Sequence, residues 1–595
     1  MADPTAAPVF APYHRADWEQ AAKGALGDRA LDDMAHVNPD GIVISPLYAR
    51  GDVATEADEP GWPGLHPYRR GRTPAGAAEH GWDVRQRHDE ADPELANRRI
   101  LADLEGGATS LELDTDAMGL ADAATLRRVI EGVMLDLAPV ALRPDGGPVA
   151  DLLVTHLLEG ERPSQVRAEL GLDPLGSGRD PASAITTALT CRAELAQVRS
   201  LAVDGTRLDD AGVTTADQLA AIVACGVDYL RLLTDAGLPL AEACDQLVLH
   251  VSVGPDQFET MAALRALRRC WARVTEVAGD PDASARARVH ATTSRTVMSR
   301  RDPWVNLLRT TTACFAAAAG GADGITVLRF DEAVGVADDL ALRLARNTQL
   351  ILTAETGLHY VIDPGGGSWY VEALTDALAD RAWARFQELE RAGGFTEASR
   401  SGLLAQWADS DWSRTEAEVA HRRLPITGVS EFPLLTEPRI ERPQPGHTRP
   451  VRRRAQAFEA LRDAADAATD VAGSRPTVFL AKLGPQAVHG ARAAFAENLF
   501  AAGGVAVSDG TGFDDAAALA AGFSRQPRPI ACLCSSDRIY AEWGPEAAAA
   551  LAEAGAREVW LAGTAAVAGI DHRIHSGGDA LADLRRAHRV LGIPA

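Results

Sequence analysis

No stretch of this 595-residue chain approaches the roughly 18 to 20 consecutive apolar residues needed to span a bilayer. The start, Met1-Ala2-Asp3-Pro4, has neither the basic segment nor the apolar segment of a secretory signal. Together these absences predict a cytoplasmic protein with no membrane partner. Positive charge is short: 59 Lys and Arg face 83 Asp and Glu, a formal charge of -24. That balance argues against a nucleic-acid partner, because phosphate-backbone binding rests on clustered cations. Cysteine is sparse and odd in number, seven in all. Cys532 and Cys534 lie two apart on an expected strand and read as small buried hydrophobes. The nucleotide-binding pattern Gly-x-x-x-x-Gly-Lys-Ser/Thr does not occur, so Gly365-Gly366-Gly367 and Gly577-Gly578 read as turns.

What is present is enough apolar sequence, 46%, for more than one core, and the length requires two or more domains. Residues 1 to 50 read as an arm with a helical stretch around Asp17 to Leu31. It is followed by Gly41 to Tyr48, an apolar run too short to fold without lying on something else. From about 105 to 375, β-rich runs alternate with helical patterns. The expected strands are Thr109–Leu113, Val140–Arg143, Val166–Leu170, Leu201–Val203, Leu247–Val253, Arg288–Thr292, Ile325–Phe330 and His359–Ile362. Eight strand-then-helix units predict a closed parallel barrel, because the crossover helices must cover the sheet from outside. One helix shows the pattern well. Met261, Leu264, Leu267 and Trp271 fall at three- and four-residue steps, with Arg265, Arg268 and Arg269 between them.

Residues 51 to 429 therefore form the expected (β/α)8 TIM barrel. From 430 to 476 the periodicity breaks, and prolines such as those in Glu441-Arg442-Pro443-Gln444-Pro445 predict a linker wrapped over a domain surface. Residues 477 to 595 alternate again: Val478–Leu483, Ala506–Ser508, Ile530–Leu533, Val559–Leu561 and a weak strand near Arg573. Five such units predict a flavodoxin-like doubly wound α/β sheet.

The stretch Ala345-Arg346-Asn347-Thr348-Gln349-Leu350, then Glu355-Thr356-Gly357, Val361-Ile362-Asp363-Pro364, Gly367-Ser368 and Tyr370-Val371-Glu372 closely resembles the final helix and eighth strand of the cobalamin-dependent methylmalonyl-CoA mutase family. Val84-Arg85-Gln86 ahead of the first expected strand, Leu264-Arg265-Ala266 with Trp271, and Ile426-Thr427-Gly428-Val429 occur in the same order as in that family. The resemblance runs over nearly the whole chain and implies a barrel followed by a cobalamin-binding-type domain. It also implies a radical interconversion of methylmalonyl-CoA and succinyl-CoA, initiated by adenosylcobalamin.

Where this sequence departs from the family, it departs at the chemistry. The family's Asp-x-His-x-x-Gly motif, whose His binds cobalt and whose Asp orients it, falls on Gln486 and Val488, with Ala491 at the later glycine; Lys482 and Gly484 are retained. His489 lies one position from the ligand's place. The family's active-site Tyr falls on Arg87, and its active-site His, at the end of the fourth strand, on Arg207. Arginine is a poor proton donor at neutral pH. No catalytic, cofactor-binding or metal residue is therefore expected on this chain. His572 and His575, three apart, read as solvated surface groups rather than a metal site.

The resemblance implies a role as the smaller, non-catalytic partner of a heterodimeric mutase, with adenosylcobalamin held by the large subunit and the arm and linker at the interface. Two other readings remain. A divergent acyl-CoA mutase would use Arg87 and Arg207 to bind a carboxylate or phosphate in an open barrel, whereas the partner reading expects a barrel partly filled by its own side chains. A regulatory or chaperone-docking homologue is the third.

Overall fold

The computed structural model describes residues 13–52, 61–145, 147–160, 162–444, 449–508 and 511–594. The first twelve residues of the expected arm, and Pro445 of the proline-rich stretch, lie outside them.

A two-stranded antiparallel hairpin, β1 (His36–Val37) and β2 (Val43–Ile44), follows the helix Arg15–Leu26. The hairpin lies on the barrel: Ile44 is buried, and Ile42 and Tyr48 pack against the barrel core.

Eight parallel strands then close on one another: β3 (Asp83–His88), β4 (Ser110–Leu113), β5 (Val140–Leu142), β6 (Ala168–Leu172), β7 (Val198–Asp204), β8 (Leu247–Val253), β9 (Arg288–Thr293) and β10 (Gly324–Thr326). The ring closes where β10 pairs with both β3 and β9. Strands buried on both faces read as near-continuous apolar runs, and Leu247-Val248-Leu249-His250-Val251 shows this.

Two expectations about the barrel need correction. Val84-Arg85-Gln86, read as lying ahead of the first strand, belongs to the first strand, Asp83–His88. Its Asp83, Arg85, Gln86, Arg87 and His88 look like surface sequence, yet Arg85, Gln86 and His88 are buried. His359–Ile362 is not a strand: Leu358–Tyr360 is a single 3-10 turn, with Tyr360 and Val361 exposed. The eighth strand is β10, which covers only Ile325 and Thr326 of the run expected at Ile325–Phe330. Because β3 is the first strand, Arg207 follows the fifth strand and not the fourth.

The helix Gln257–Val277 buries Met261, Leu264, Leu267 and Trp271 as the periodicity requires, and it also buries Arg265 and Arg268. Arg265 pairs with Asp363 and Glu372. Glu372 also takes Arg69 at 3.3 Å, and Asp363 takes Arg70 at 2.8 Å. The conspicuous Asp363–Glu372 stretch thus ties the segment ahead of β3 to two barrel helices. Cutting one partner from such a buried cluster typically costs about 3 to 5 kcal/mol.

The second sheet is all parallel in the order β12-β11-β13-β14-β15: β11 (Thr477–Lys482), β12 (Ala506–Val507), β13 (Ile530–Cys534), β14 (Glu558–Ala562) and β15 (His572–Ile574). The order 2-1-3-4-5 is the flavodoxin-like winding. One apolar cluster covers each face. Cys532 and Cys534 are buried and unpaired by disulfide.

Between the two sheets, the stretch 430–476 is only half irregular. Residues Gln456–Ala472 form a helix whose Phe458 and Ala465 enter the core of the second sheet, which the proline-based reading missed. The irregular part wraps over the barrel: the Val336 N–H donates to Pro443 O at 2.9 Å, the Arg452 N–H to Asp210 O and the Arg454 N–H to Thr296 O.

Candidate functional site

In a TIM barrel, chemistry belongs at the C-terminal ends of the strands. Here those ends carry charged side chains in an otherwise apolar lattice. Arg87, on β3, sits with Nε 3.2 Å from Glu112 on β4, and within 3.8 Å of both Asp114 and Glu332. Arg143, just past β5, also pairs with Asp114. Arg207, in the first turn of the helix Gly205–Ala211, reaches Asp145 at 3.3 Å and Asp204 at 3.8 Å.

The two arginines flagged in the sequence do not touch each other, but one unbroken chain of ion pairs joins them. Asp204 binds Arg449 at 2.8 Å, Arg449 binds Asp210 at 2.8 Å, and Asp210 binds Arg295 at 3.1 Å. Arg295 then reaches Glu332 at 3.8 Å, and Glu332 reaches Arg87. Arg449 comes from the segment between the sheets, so the strap over the barrel supplies one of the cations that fill its mouth.

Deeper in the barrel, Arg85 binds Glu169 at 2.6 Å and Asp83 at 3.0 Å. The His290 ring bonds the Thr326 hydroxyl at 2.9 Å, which in turn donates to Glu112 at 3.3 Å. His250 and His290 stack obliquely with ring centroids 5.3 Å apart.

Electrostatics follow from this packing. Burial alone would push the Asp114 and Glu332 carboxyls up. The arginines around them outweigh it and hold both at about 2: Arg143 and Arg87 for Asp114, Arg329 and Arg87 for Glu332. Asp204 and Glu169 are held low in the same way, against burial, by Arg449 and Arg85 respectively. Burial opposes charge on Arg87, but Glu112, Glu332 and Asp114 outweigh it and raise its pKa. The network is thus ionised on both sides and its charges are paired internally, although Arg87 Nε and Arg207 Nε have no hydrogen-bond partner among the described residues.

Of the 59 basic residues, only Lys23 and Lys482 are lysine. The planar guanidinium fork can bridge two or three carboxylates, which suits a fully packed charge network better than an ammonium does.

At the C-terminal edge of the second sheet, β11 ends at Lys482 and the helix Gln486–Ala502 begins at Gln486. Gln486 is exposed, while Val488 is half-buried and packs against the apolar cluster containing Phe479, Ala481 and Leu483. His489 is 6% exposed and its Nδ1 has no hydrogen-bond partner among the described residues. Burial, with Lys482 nearby, pushes its pKa down. The first turn of this helix therefore offers an exposed amide, an aliphatic group turned to the core and an inward imidazole. That donor set does not fit a protein imidazole on cobalt held by a carboxylate.

A cavity of about 610 Å3 opens at the opposite, N-terminal end of the barrel, between Arg70, Arg72, Arg167 and Arg288 and the turn Leu358–Ile362. The ion-pair column separates it from the strand ends. Of the two histidines read as solvated surface groups, His575 is exposed, while His572 is half-buried, with its Nε2 2.7 Å from Asp583 and its ring edge-on against Trp560. No group of three metal-ligating side chains occurs among the described residues, and no described helix is long and apolar enough to cross a membrane.

Residues 37–124 and 180–475 match the family model described as methylmalonyl-CoA mutase. The chain is 46% identical to the methylmalonyl-CoA mutase small subunit of Streptomyces virginiae, over 96% of this chain and 95% of that one. The chain belongs to the methylmalonyl-CoA mutase family. It is also 36% identical to the small subunit from Propionibacterium freudenreichii subsp. shermanii, over 93% of this chain and 89% of that one. Against a methylmalonyl-CoA mutase of Rhizobium meliloti (strain 1021), identity is 30% over 80% of this chain and 73% of that one.

Within this mutase-family barrel the sequence pointed to Arg87 and Arg207 but not to the carboxylates that hold them. Glu112, Asp114, Glu169 and Asp204 were legible in principle: each interrupts or ends an apolar strand run, as in Leu111-Glu112-Leu113-Asp114 and Leu201-Ala202-Val203-Asp204. A charge at an inward position of a buried strand needs a buried partner. Arg449 carried no such signal, because its role depends on where an irregular segment crosses.

Proposed function

We propose that this chain is the non-catalytic small subunit of a methylmalonyl-CoA mutase, paired with a large subunit that binds adenosylcobalamin and interconverts methylmalonyl-CoA and succinyl-CoA. The observation that carries the reading is the ion-pair chain from Arg207 to Arg87, which fills the barrel mouth with the protein's own side chains. A thioester substrate needs that space, and the arginines that could bind its anionic groups are already neutralised. Gln486 and Val488 in place of the cobalt-binding pair support the same reading, with no cofactor, metal or catalytic residue assigned to this chain. The two losses are independent, one in each sheet, so a single compensating change would not restore activity.

In this role the small subunit acts through its surface. Barrel-to-barrel burial well above about 2,000 Å2 suits an obligate pair. The arm, whose helix Arg15–Leu26 buries none of its residues within this chain, is a natural part of that surface, together with the strap. Both subunits are assigned to the cytoplasm, where propionate-derived acyl-CoA would be processed.

The test is co-expression with a large mutase subunit from the same source, followed by size-exclusion chromatography and cobalamin absorbance. A one-to-one complex should carry both cobalamin and activity, and replacing the large subunit's cobalt-binding histidine should abolish both. Tight adenosylcobalamin retention and turnover by this chain alone would sink the proposal and favour a divergent mutase.

A further inference from the structure

The tip of the N-terminal hairpin is held to the barrel by an unusual contact. Asp40, in the turn between β1 and β2, is 3% exposed, and its Oδ1 accepts the Ala216 N–H at 2.8 Å. Ala216 is the second residue of the 21-residue barrel helix Thr215–Asp235, whose own cap residue, Thr214, makes no side-chain cap bond. The arm therefore caps a barrel helix from outside, supplying the acceptor that the helix start lacks. Asp40 Oδ2, equally buried, has no hydrogen-bond partner among the described residues.

Three further carboxyls crowd the same turn. Asp411 accepts the Thr214 N–H at 2.9 Å, Glu259 bonds the Thr215 hydroxyl, and Asp217 lies in the first turn itself. The cations facing them are mostly committed. Arg385 binds Asp217 through two bonds of 2.7 and 2.6 Å. Arg414 pairs with Asp411 while donating to Pro39 O at 3.3 Å. Arg381 lies near Asp217, and Arg454 and Asp256 lie near Glu259. Among the described residues Asp40 has no ion-pair partner of its own. A buried carboxylate with one unbonded oxygen beside three other acids is strongly disfavoured, and a carboxyl group that keeps its proton is not.

We propose that the arm is a proton-dependent strap, seated on the barrel while the Asp40–Glu259 cluster holds its protons and loosened as the cluster ionises. Burial outweighs the bond from Ala216 and the nearby Thr214 hydroxyl, which favour the charged form, and with repulsion from Asp217 and Asp411 it pushes Asp40 up to about 6; burial with the Asp40 charge pushes Glu259 up to about 7. When the hairpin lifts, both groups meet water and return to their ordinary values near 4. The sign follows from which state holds more protons. Between pH about 4 and 7 the seated arm retains protons that the lifted arm has lost, so seating weakens as pH rises through that window. The two-unit displacement of Asp40 corresponds to a seating equilibrium about 100-fold weaker above pH 6 than below pH 4. This holds whether or not the chain serves as a small subunit.

The experiment is hydrogen–deuterium exchange on the full-length chain from pH 5 to 8, with labelling times scaled for the intrinsic exchange rate. Protection of the Asn38, Gly41 and Ile42 amides should fall at least about ten-fold over that range, while β8 stays unchanged as an internal reference. Asp40→Asn keeps the acceptor for Ala216 and removes the charge, so its protection at pH 8 should match the wild type at pH 5. Should that variant not fold, Glu259→Gln serves, shifting the wild-type midpoint downward by removing the higher-titrating partner. Wild-type protection that is flat with pH overturns the proposal. So does an Asn variant that retains the full pH dependence, or a Gln variant with an unmoved midpoint.

Discussion

Arg449, in the segment joining the two sheets, donates from Nη1 to Asp204 Oδ2 at 2.8 Å, and Asp204 has no exposed side-chain surface. The carboxylate ends the fifth barrel strand, so the strap completes the barrel's own charge balance. Its Nε also takes Asp210 at 2.8 Å, and its Nη2 the Thr206 hydroxyl at 2.8 Å. The strap and the barrel are consequently one electrostatic unit.

Replacing Arg449 with methionine keeps much of the side-chain volume but strands Asp204 and Asp210 without their strongest counter-charge. Loss of one member of a buried pair typically costs about 3 to 5 kcal/mol. The expected outcome is a lower urea midpoint in tryptophan fluorescence, with part of the loss recovered in the double variant Arg449→Met, Asp204→Asn. A single variant as stable as wild type would show that water already serves Asp204.

Arg87 stands where the family resemblance places an active-site tyrosine, so Arg87→Tyr is a direct test of whether the barrel is one substitution from function. Tyrosine supplies no positive charge to Glu112, Asp114 and Glu332, all within 3.8 Å of Arg87. The variant should be destabilised by about 3 kcal/mol or more and should gain no mutase activity alone. Its catalytic effect within a complex with a large subunit should be nil apart from any loss of folded chain.

The same network dictates how the protein responds to acid. Asp114 and Glu332 are held at about 2, below ordinary values near 4, so their contribution is fully present above pH 4. It is lost as pH falls from about 4 to 2, at about 2 to 3 kcal/mol for each group. Unfolding midpoints measured between pH 5 and 3 should fall steeply in the wild type. The fall should be shallower in Asp114→Asn, Glu332→Gln, whose stability at pH 5 starts lower. The Asp40 cluster works in the opposite direction, so arm protection and barrel stability should diverge as the pH drops.

Architecture was legible in the sequence because alternation and length were. Seven of the eight barrel strands and all five strands of the second sheet sit within a few residues of where apolar runs placed them. The misses share one physical cause. β3 is built from Asp83, Arg85, Arg87 and His88, charges that are tolerable inside a barrel only because acids on other strands meet them, and no local pattern reports that Glu112, 25 positions on, meets Arg87 or that Glu169, 84 positions on, meets Arg85. Val361-Ile362 misled in the opposite sense, being β-prone residues on an exposed turn. In the helix Gln456–Ala472 the signal was present, with Phe458, Leu461 and Ala465 at helical steps, but the prolines before it dominated the reading. The site followed the same logic: the departures at Arg87, Arg207, Gln486 and Val488 could be read from the family resemblance, whereas the ion-pair chain at the barrel mouth depends on tertiary contacts.

Installing the motif that the family resemblance places at Gln486 and Val488 tests whether this edge of the second sheet can hold a ligand. In Gln486→Asp, Val488→His the family's pair is restored by name, but position 488 lies on the face of its helix that packs against Phe479, Ala481 and Leu483. An imidazole there is directed into an apolar cluster, which disfavours its charged form and removes it from the sheet's C-terminal edge. His489, whose Nδ1 has no hydrogen-bond partner among the described residues, stays buried beside it. The double variant should therefore remain colourless after incubation with adenosylcobalamin and gel filtration, with a modest loss of stability from packing a polar ring among aliphatic groups. Retention of a cobalamin spectrum, with the shift that histidine ligation produces, would mean that the helix can rotate its first turn outward. The loss at 486 and 488 would then be the only barrier to cofactor binding in this domain.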